Sequence, residues 1–342
     1  MNVRMTGRRL RLAAVAGGLA ALALCGAARA ATVAYTDANN DVWLSSPDGA
    51  VRRQLTTDGK DVHYIGTSMR DDGVVVTSSI GRFVWLLRPD GSVAGSYLAP
   101  MCSLSTSAYD PQVLPSGGLI LYWYIRSTCV YPNYNIHPEV TVMSDNAPTI
   151  SENVYPHYSG YTYARWIGST SVFAMSAGDL FDLEPDLSVQ PLTPRPWFTV
   201  GGSVDVNSFD YSRVGDLMLI ETSPSGDLNA PADLQVRRSA TTPGPSGPAP
   251  AAPEVVCDLK GFAPQGAKPR WSPDATMISW TGADGVYVSP APVASGGTCV
   301  LQPRLLAAGA RNASWGTLTL PAPTPTPEPT PAPTPAPTPT PP

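Results

Sequence analysis

Few residues of this chain are of types that do chemistry, and they are scattered. His63, His137 and His157 are the only histidines, and imidazoles gathered at one point are a common route to a bound metal or a general base. His63 and His157 each precede an apolar, strand-like run, which could bring both to one opening. His137 lies in "NIHPEV", within a hairpin-like insertion. Three histidines from separate loops read first as surface residues and only second as a metal site, so no metal or cofactor is expected. "DANND" (Asp37 to Asp41) alternates oxygen ligands as a calcium loop does. It lacks the following glycine and the distal glutamate of such loops, and reads as a hairpin turn. "SPDATMISW" starts like the Asp-box of sialidases and departs from it at Thr276, Ile278 and Ser279. G-x-S-x-G, HExxH, P-loop and dinucleotide motifs are missing. No catalytic residue is assigned. The insertion "YWYIRSTCVYPNYNIHP" gathers tyrosines, of which Tyr131 and Tyr134 are candidates for contact with a glycan or a protein, set against simple packing over the rim.

The cysteines and the N-terminus place the chain outside the cytoplasm. Residues 1–30 combine Arg4, Arg8, Arg9 and Arg11, a short apolar run and "ARA", the pattern of a cleaved secretory signal. The apolar run falls short of the ~20 residues that a span needs, so no transmembrane segment is expected after cleavage. Lipid anchoring at Cys25 ranks second, because Leu24 stands where a small residue is wanted. Cleavage leaves Cys102, Cys129, Cys257 and Cys299, an even number that reads as two disulfides with three possible pairings. It also removes five arginines and no acids, leaving 17 basic residues against 27 acidic ones. A mature chain near −10 argues against a nucleic acid or an anionic membrane as partner.

The elements that must position these residues show as repeats. Apolar runs between 31 and 320 are short, rich in Val, Ile, Tyr and Trp, and punctuated by Gly, Asp, Asn and Pro, which predicts an all-β fold. "DVWLSSPDGAV" (41–51) is echoed by "FVWLLRPDGSV" (83–93) and by "LFDLEPDLSV" (180–189). A second phase appears in "ARWIGSTSVFAM", "PRWSPDATMISW" and "NASWG", placing Trp166, Trp271 and Trp315 in register. "SMRDDGVVVTS", "LPSGGLILYWY" and "YSRVGDLMLIE" are degenerate copies. The order predicts six units of four short strands, near 32–56, 61–98, 104–150, 160–193, 203–258 and 267–307, each the size of one propeller blade. "ATTPGPSGPAPAAPE" (240–254) reads as a loop inserted between strands. Residues 321–342, with twelve prolines and six threonines, read as a disordered, extended spacer.

On "WSPDATMISW" followed by "DGVYV", and on "DVWLSSPDGAVRRQLT", the chain resembles the TolB-like six-bladed β-propellers built from WD-like repeats. The resemblance covers about 32 to 320, with Ala275 where the family prefers glycine. It implies a six-bladed propeller of four-stranded blades, spanning residues 31–320. The first unit opens at "TVAYT" without a tryptophan strand, so the strand of Trp315 is expected to complete it and close the ring. In such blades the loop between strands two and three shares a face with the inter-blade connector. That favours Cys102–Cys129, with Cys257–Cys299 by elimination. The expected role is binding of an unknown protein or polysaccharide by a secreted, periplasmic or cell-surface monomer. A carbohydrate-active lyase or hydrolase at the channel mouth is the alternative.

Overall fold

A computed structural model describes residues 31–80, 83–98, 109–127, 136–144, 157–159, 161–167, 171–176, 179–183, 195–199, 204–214, 216–224, 226–227, 229–238, 253–295 and 298–321. The chain begins with β1 (Thr32–Thr36), β2 (Val42–Ser45) and β3 (Arg52–Gln54), followed by one helical turn, α1 (Gly59–Val62). Four strands follow: β4 (Tyr64–Met69), β5 (Val75–Ser79), β6 (Phe83–Leu87) and β7 (Val93–Leu98). The next group is β8 (Tyr109–Val113), β9 (Leu119–Ser127), β10 (Ile136–Ser144) and β11 (His157–Ser159). Then come β12 (Thr162–Ile167), β13 (Ser171–Ser176), β14 (Asp179–Leu183) and β15 (Arg195–Thr199). A fifth group holds β16 (Val204–Tyr211), β17 (Leu217–Pro224), β18 (Ala232–Arg238) and β19 (Glu254–Ala263). The last contains β20 (Arg270–Trp271), β21 (Met277–Thr281), β22 (Gly285–Pro290), an inserted hairpin of β23 (Val293–Ser295) and β24 (Thr298–Val300), and β25 (Arg304–Ala308). β26 (Arg311–Gly316) ends the series.

Each group is an antiparallel meander, giving six four-stranded sheets among the described residues. The first sheet has only three strands of its own. Its fourth is β26, which lies antiparallel on β1 with Val33 opposite Trp315 and Thr32 opposite Gly316. Three sheets run past their expected limits, since β11, β15 and β19 reach Ser159, Thr199 and Ala263. These are fourth strands at sheet edges, where one-sided packing leaves the weakest periodic signal.

Local chemistry explains the hairpins. In the turns at 46–51, 70–74, 88–92 and 272–277 an aspartate carboxylate accepts the backbone N–H two residues on: Asp48 from Ala50 at 3.0 Å, Asp72 from Val74 at 3.1 Å, Asp90 from Ser92 at 2.9 Å and Asp274 from Thr276 at 3.1 Å. The residue after each aspartate is left-handed. Gly49, Gly73 and Gly91 fill that position, and Ala275 fills the fourth at φ 57°. Ala275 thus adopts the repeat's turn without the repeat's glycine. A second shared device lies on the strands that begin sheets two, three and four, just before the one that begins sheet six, and on β26. Gly66, Asp110, Tyr163, Lys268 and Asn312 take one repeat position, all with positive φ. The ladders of Gly66, Asp110 and Tyr163 shift register there, as expected of β-bulges that bend a strand.

The core is divided among the seams between sheets. Val76, Val84, Ile120 and Tyr122 join sheets two and three, and Leu121, Ala164 and Val172 join three and four. Leu180, Phe209 and Met218 join four and five, and Leu219, Leu234, Trp271 and Ile278 join five and six. Val286, Val288 and Leu306 meet Val33, Tyr35 and Trp315, so the sixth sheet packs on the first. The seam between the first two sheets holds Leu44, Met69, Val75 and Leu87, together with Leu320 and Leu318. The strands β26, β4, β8, β12, β16 and β20 each stand at one edge of a sheet, and each touches the next, with β20 touching β26.

Candidate functional site

Those six edge strands surround a cavity of about 510 Å³. The tryptophan position of the repeat builds its wall: Met69, Val113, Trp166, Tyr211, Trp271 and Trp315 occupy equivalent places on the six strands, and all line it. The residue just before each also lines it, namely Ser68, Gln112, Arg165, Asp210, Arg270 and Ser314. The lining is therefore one band of mostly apolar side chains, the wall, and one band of polar ones, the floor, each drawn once from every sheet.

The polar band is charged on one side. Arg165 and Arg270 flank Asp210 in chain order; both arginines are buried, and Asp210 is partly buried. Arg165 Nη2 lies 2.7 Å from Asp110 Oδ2, and Arg270 Nη2 lies 3.5 Å from the same oxygen. The backbone bulge at Asp110 aims its carboxylate at both. Arg165 Nη1 donates to its neighbour's carbonyl, Ala164 O, at 2.7 Å, and Arg270 Nη1 to Pro269 O at 3.0 Å. Among the described residues Arg165 Nε has no hydrogen-bond partner. Asp210 Oδ2 accepts the Trp271 amide at 2.7 Å.

The two carboxyls of this band diverge. Burial would raise Asp110, but Arg165 and Lys268 outweigh it and hold the group below the usual carboxylate range. Burial prevails at Asp210 and pushes it up to about 6, against the pull of Arg165 and two backbone N–H groups. A cavity carboxyl pushed up toward neutrality is the kind of group that acid–base chemistry uses.

An ion pair crosses the opening. Asp71, in the β4–β5 turn, and Arg213, in the β16–β17 turn, meet at 2.7 Å, joining the second sheet to the fifth. The Asp71 amide donates to Pro115 O at 2.8 Å, and Thr317 Oγ1 donates to Asp71 O at 3.0 Å. Both ion-pair members remain partly exposed, at 46% for Asp71 and 34% for Arg213.

Among the described residues, the site residues predicted from sequence fall elsewhere, with one exception. His63 follows α1 in a left-handed conformation, its Nδ1 3.3 Å from Asn40 Nδ2. His157 begins β11, opposite Thr141 at the outer edge of the third sheet. Tyr131, Tyr134, Cys102 and Cys129 lie outside the described residues. Cys257 on β19 is bonded to Cys299 on β24, with Cα atoms 5.6 Å apart, tying the fifth sheet to the hairpin inserted in the sixth. Trp315 is the exception, a wall residue of the cavity on the strand that pairs with β1. "DANND" forms a turn in which Asp37 Oδ1 accepts the amides of Asn39 and Asp41. Among the described residues no three His, Cys, Asp or Glu side chains assemble a metal-ligand set. The charged floor had a signal in the sequence: "ARW" and "PRW" place an arginine at the same repeat position twice.

No protein-family model matches the chain, and no curated protein does. Solved structures do. TolB from Acinetobacter baumannii superposes with a TM-score of 0.55 at 12% identity, covering 83% of this chain and 66% of that one, so the chain spans a little under two thirds of its length. An oligogalacturonate lyase in complex with manganese gives 0.46 at 11% identity, over 73% of this chain and 68% of that one. A putative TolB from Agrobacterium tumefaciens gives 0.45 at 13% identity, over 83% and 92%. The first of these sets the class of fold: the chain has a TolB-like β-propeller fold. Identities this low carry the fold and not the activity.

Proposed function

We propose that the chain is an extracytoplasmic, six-bladed propeller that binds a protein partner or an envelope or extracellular polymer at the mouth crossed by Asp71 and Arg213. β26 completes the first blade and closes the ring; its pairing with β1 and the seam between the sixth and first sheets support that reading. A signal peptide over 1–30 and a Pro/Thr spacer over 321–342 complete the organisation. The Cys257–Cys299 bond is compatible with an oxidising compartment. One observation carries the binding role, namely a cavity to which every sheet contributes one wall residue and one polar residue. A ligand seated there touches all six units, and the hairpin turns around it are free to vary without disturbing the seams. The alternative, an enzyme working at this mouth, has Asp210 in its favour, a partly buried carboxyl pushed up to about 6.

A photo-crosslinking residue placed at Ser116, exposed beside the mouth, and another at Val255 on the outer strand β19, test the face. In an extracytoplasmic extract the Ser116 probe should capture a partner that the Val255 probe does not. Equal capture from both positions refutes the choice of mouth.

A further inference from the structure

We propose that the floor of this cavity is a carboxylate site, taking a small organic acid whose carboxylate lies against Arg165 and Arg270. The inference rests on the reading that the cavity is where binding occurs, and it names the chemistry. Two guanidiniums, with side chains only 3% and 7% exposed, converge on a single carboxylate oxygen. Asp110 satisfies the first at 2.7 Å and reaches the second only at 3.5 Å, beyond a normal charge-assisted hydrogen bond. The neighbouring carboxylate oxygen, Asp210 Oδ2, is held by the Trp271 amide. Arg165 Nε is unpaired among the described residues.

A buried guanidinium N–H left without an acceptor is costly, and Arg165 Nε is such a donor, while Arg270 Nη2 has only the long contact to Asp110. A carboxylate matches the planar fork of arginine, whereas a cation would face both guanidiniums. The aromatic wall of Trp166, Tyr211, Trp271 and Trp315 then covers the body of the acid. A volume of about 510 Å³ lies in the range of small-molecule sites, ~300–1,000 Å³.

The test titrates the full-length exported protein with acetate, succinate, inorganic phosphate and the neutral isostere acetamide at constant ionic strength. Calorimetry and the indole N–H resonances of the tryptophans are the readouts. Acetate or succinate should bind saturably, and acetamide should not. Arg270→Gln should weaken carboxylate binding by about tenfold or more, with Arg270→Lys between the two. The proposal is overturned if acetamide matches acetate, if phosphate binds as well as the carboxylates, or if folded Arg270→Gln binds like the parent. Should that variant fail to fold, Ser116→Trp, at the exposed mouth, takes its place. It should slow carboxylate association, and an unchanged rate overturns the assignment. Partner capture at Ser116 with no carboxylate binding removes this inference and leaves the binding reading standing. Carboxylate binding without capture does the reverse.

Discussion

Shortening the chain from its C-terminal end tests the role of β26 directly. A stop after Leu320 removes none of the packed residues described here. A stop after Gly316 removes Leu318 and Leu320 from the seam between the first two sheets, where Leu320 is 8% exposed. Burying a leucine contributes about 1.5–3 kcal/mol, so this second stop should cost roughly 3–5 kcal/mol. It also removes the Leu318 carbonyl that accepts Thr32 Oγ1 at 2.5 Å. A stop after Gly309 takes β26 as well. Trp315, Ala313 and Ala310 leave the core, and the edge of β1 loses its ladder. A buried tryptophan removes roughly 150–250 Å² from water, about 4–6 kcal/mol at ~25 cal/mol/Å². The summed loss reaches about 10 kcal/mol, comparable with the whole stability of a typical domain, ~5–15 kcal/mol. The newly bared edge also invites pairing with other chains. Urea denaturation followed by tryptophan fluorescence, with light scattering for aggregation, should rank the three stops in that order. A soluble, cooperatively unfolding protein ending at Gly309, with a midpoint near that of the Leu320 stop, would refute the reasoning.

Three further outcomes follow from single side chains. Glu221 is fully buried and accepts the amides of Gly266, Ala267 and Lys268 and the hydroxyl of Ser208, at 2.6 to 3.2 Å. Glu221→Gln turns one acceptor into a donor facing donors and should cost about 3 kcal/mol in urea; a loss below 1 kcal/mol would count against the staple. Asp210 titrates at about 6 when folded, above its ordinary 3.8, so the folded state holds a proton that the unfolded chain has lost. Its contribution is complete below about pH 4 and is lost as pH rises through 6, about 3 kcal/mol for roughly two units. Asp210→Asn should therefore match the parent near pH 4 and exceed it near pH 8, and parallel stability–pH curves would exclude this. Ala275→Gly relieves a left-handed alanine at φ 57° and should raise stability by about 1 kcal/mol. Gly91→Ala should lower it, since a Cβ there would sit 2.9 Å from Leu55 O, and a calorimetric scan of both variants compares the signs.

The two sequence phases correspond to definite pieces of each sheet. "DVWLSSPDGAV" and "FVWLLRPDGSV" are both the third strand and the turn that leads to the fourth, and "ARW", "PRW" and "NASW" all fall on or at the start of the first strand. Period and turn chemistry are local, so they were readable without the fold. The degenerate copies took the same places, with Met69, Val113 and Tyr211 standing where tryptophan stands elsewhere. The charged floor was not readable as a site. Arg165, Asp210 and Arg270 are far apart in the chain, and Asp110 reaches the two arginines only through a left-handed residue inside a strand. Nothing in the composition of "SAYDPQV" announces that conformation. The histidines drew notice for their rarity, yet rarity carries no geometry, and His63 ends against Asn40.

The short arm from Thr317 to Leu320 also sets how the molecule meets a pull. Any tension carried by the residues beyond it enters at Leu320, wedged in the seam of the first two sheets, and passes next to Thr317 on the Asp71 carbonyl. Only after those anchors yield does β26 begin to unzip from β1. The arm and the strand are links in series, so rupture under load follows the weaker of them and is governed by an unfolding rate rather than by equilibrium stability. Because Asp71 is also half of the ion pair across the opening, the last anchor to slip before β26 lies beside the mouth. A tether on this chain would be felt beside the cavity before the strands themselves gave way.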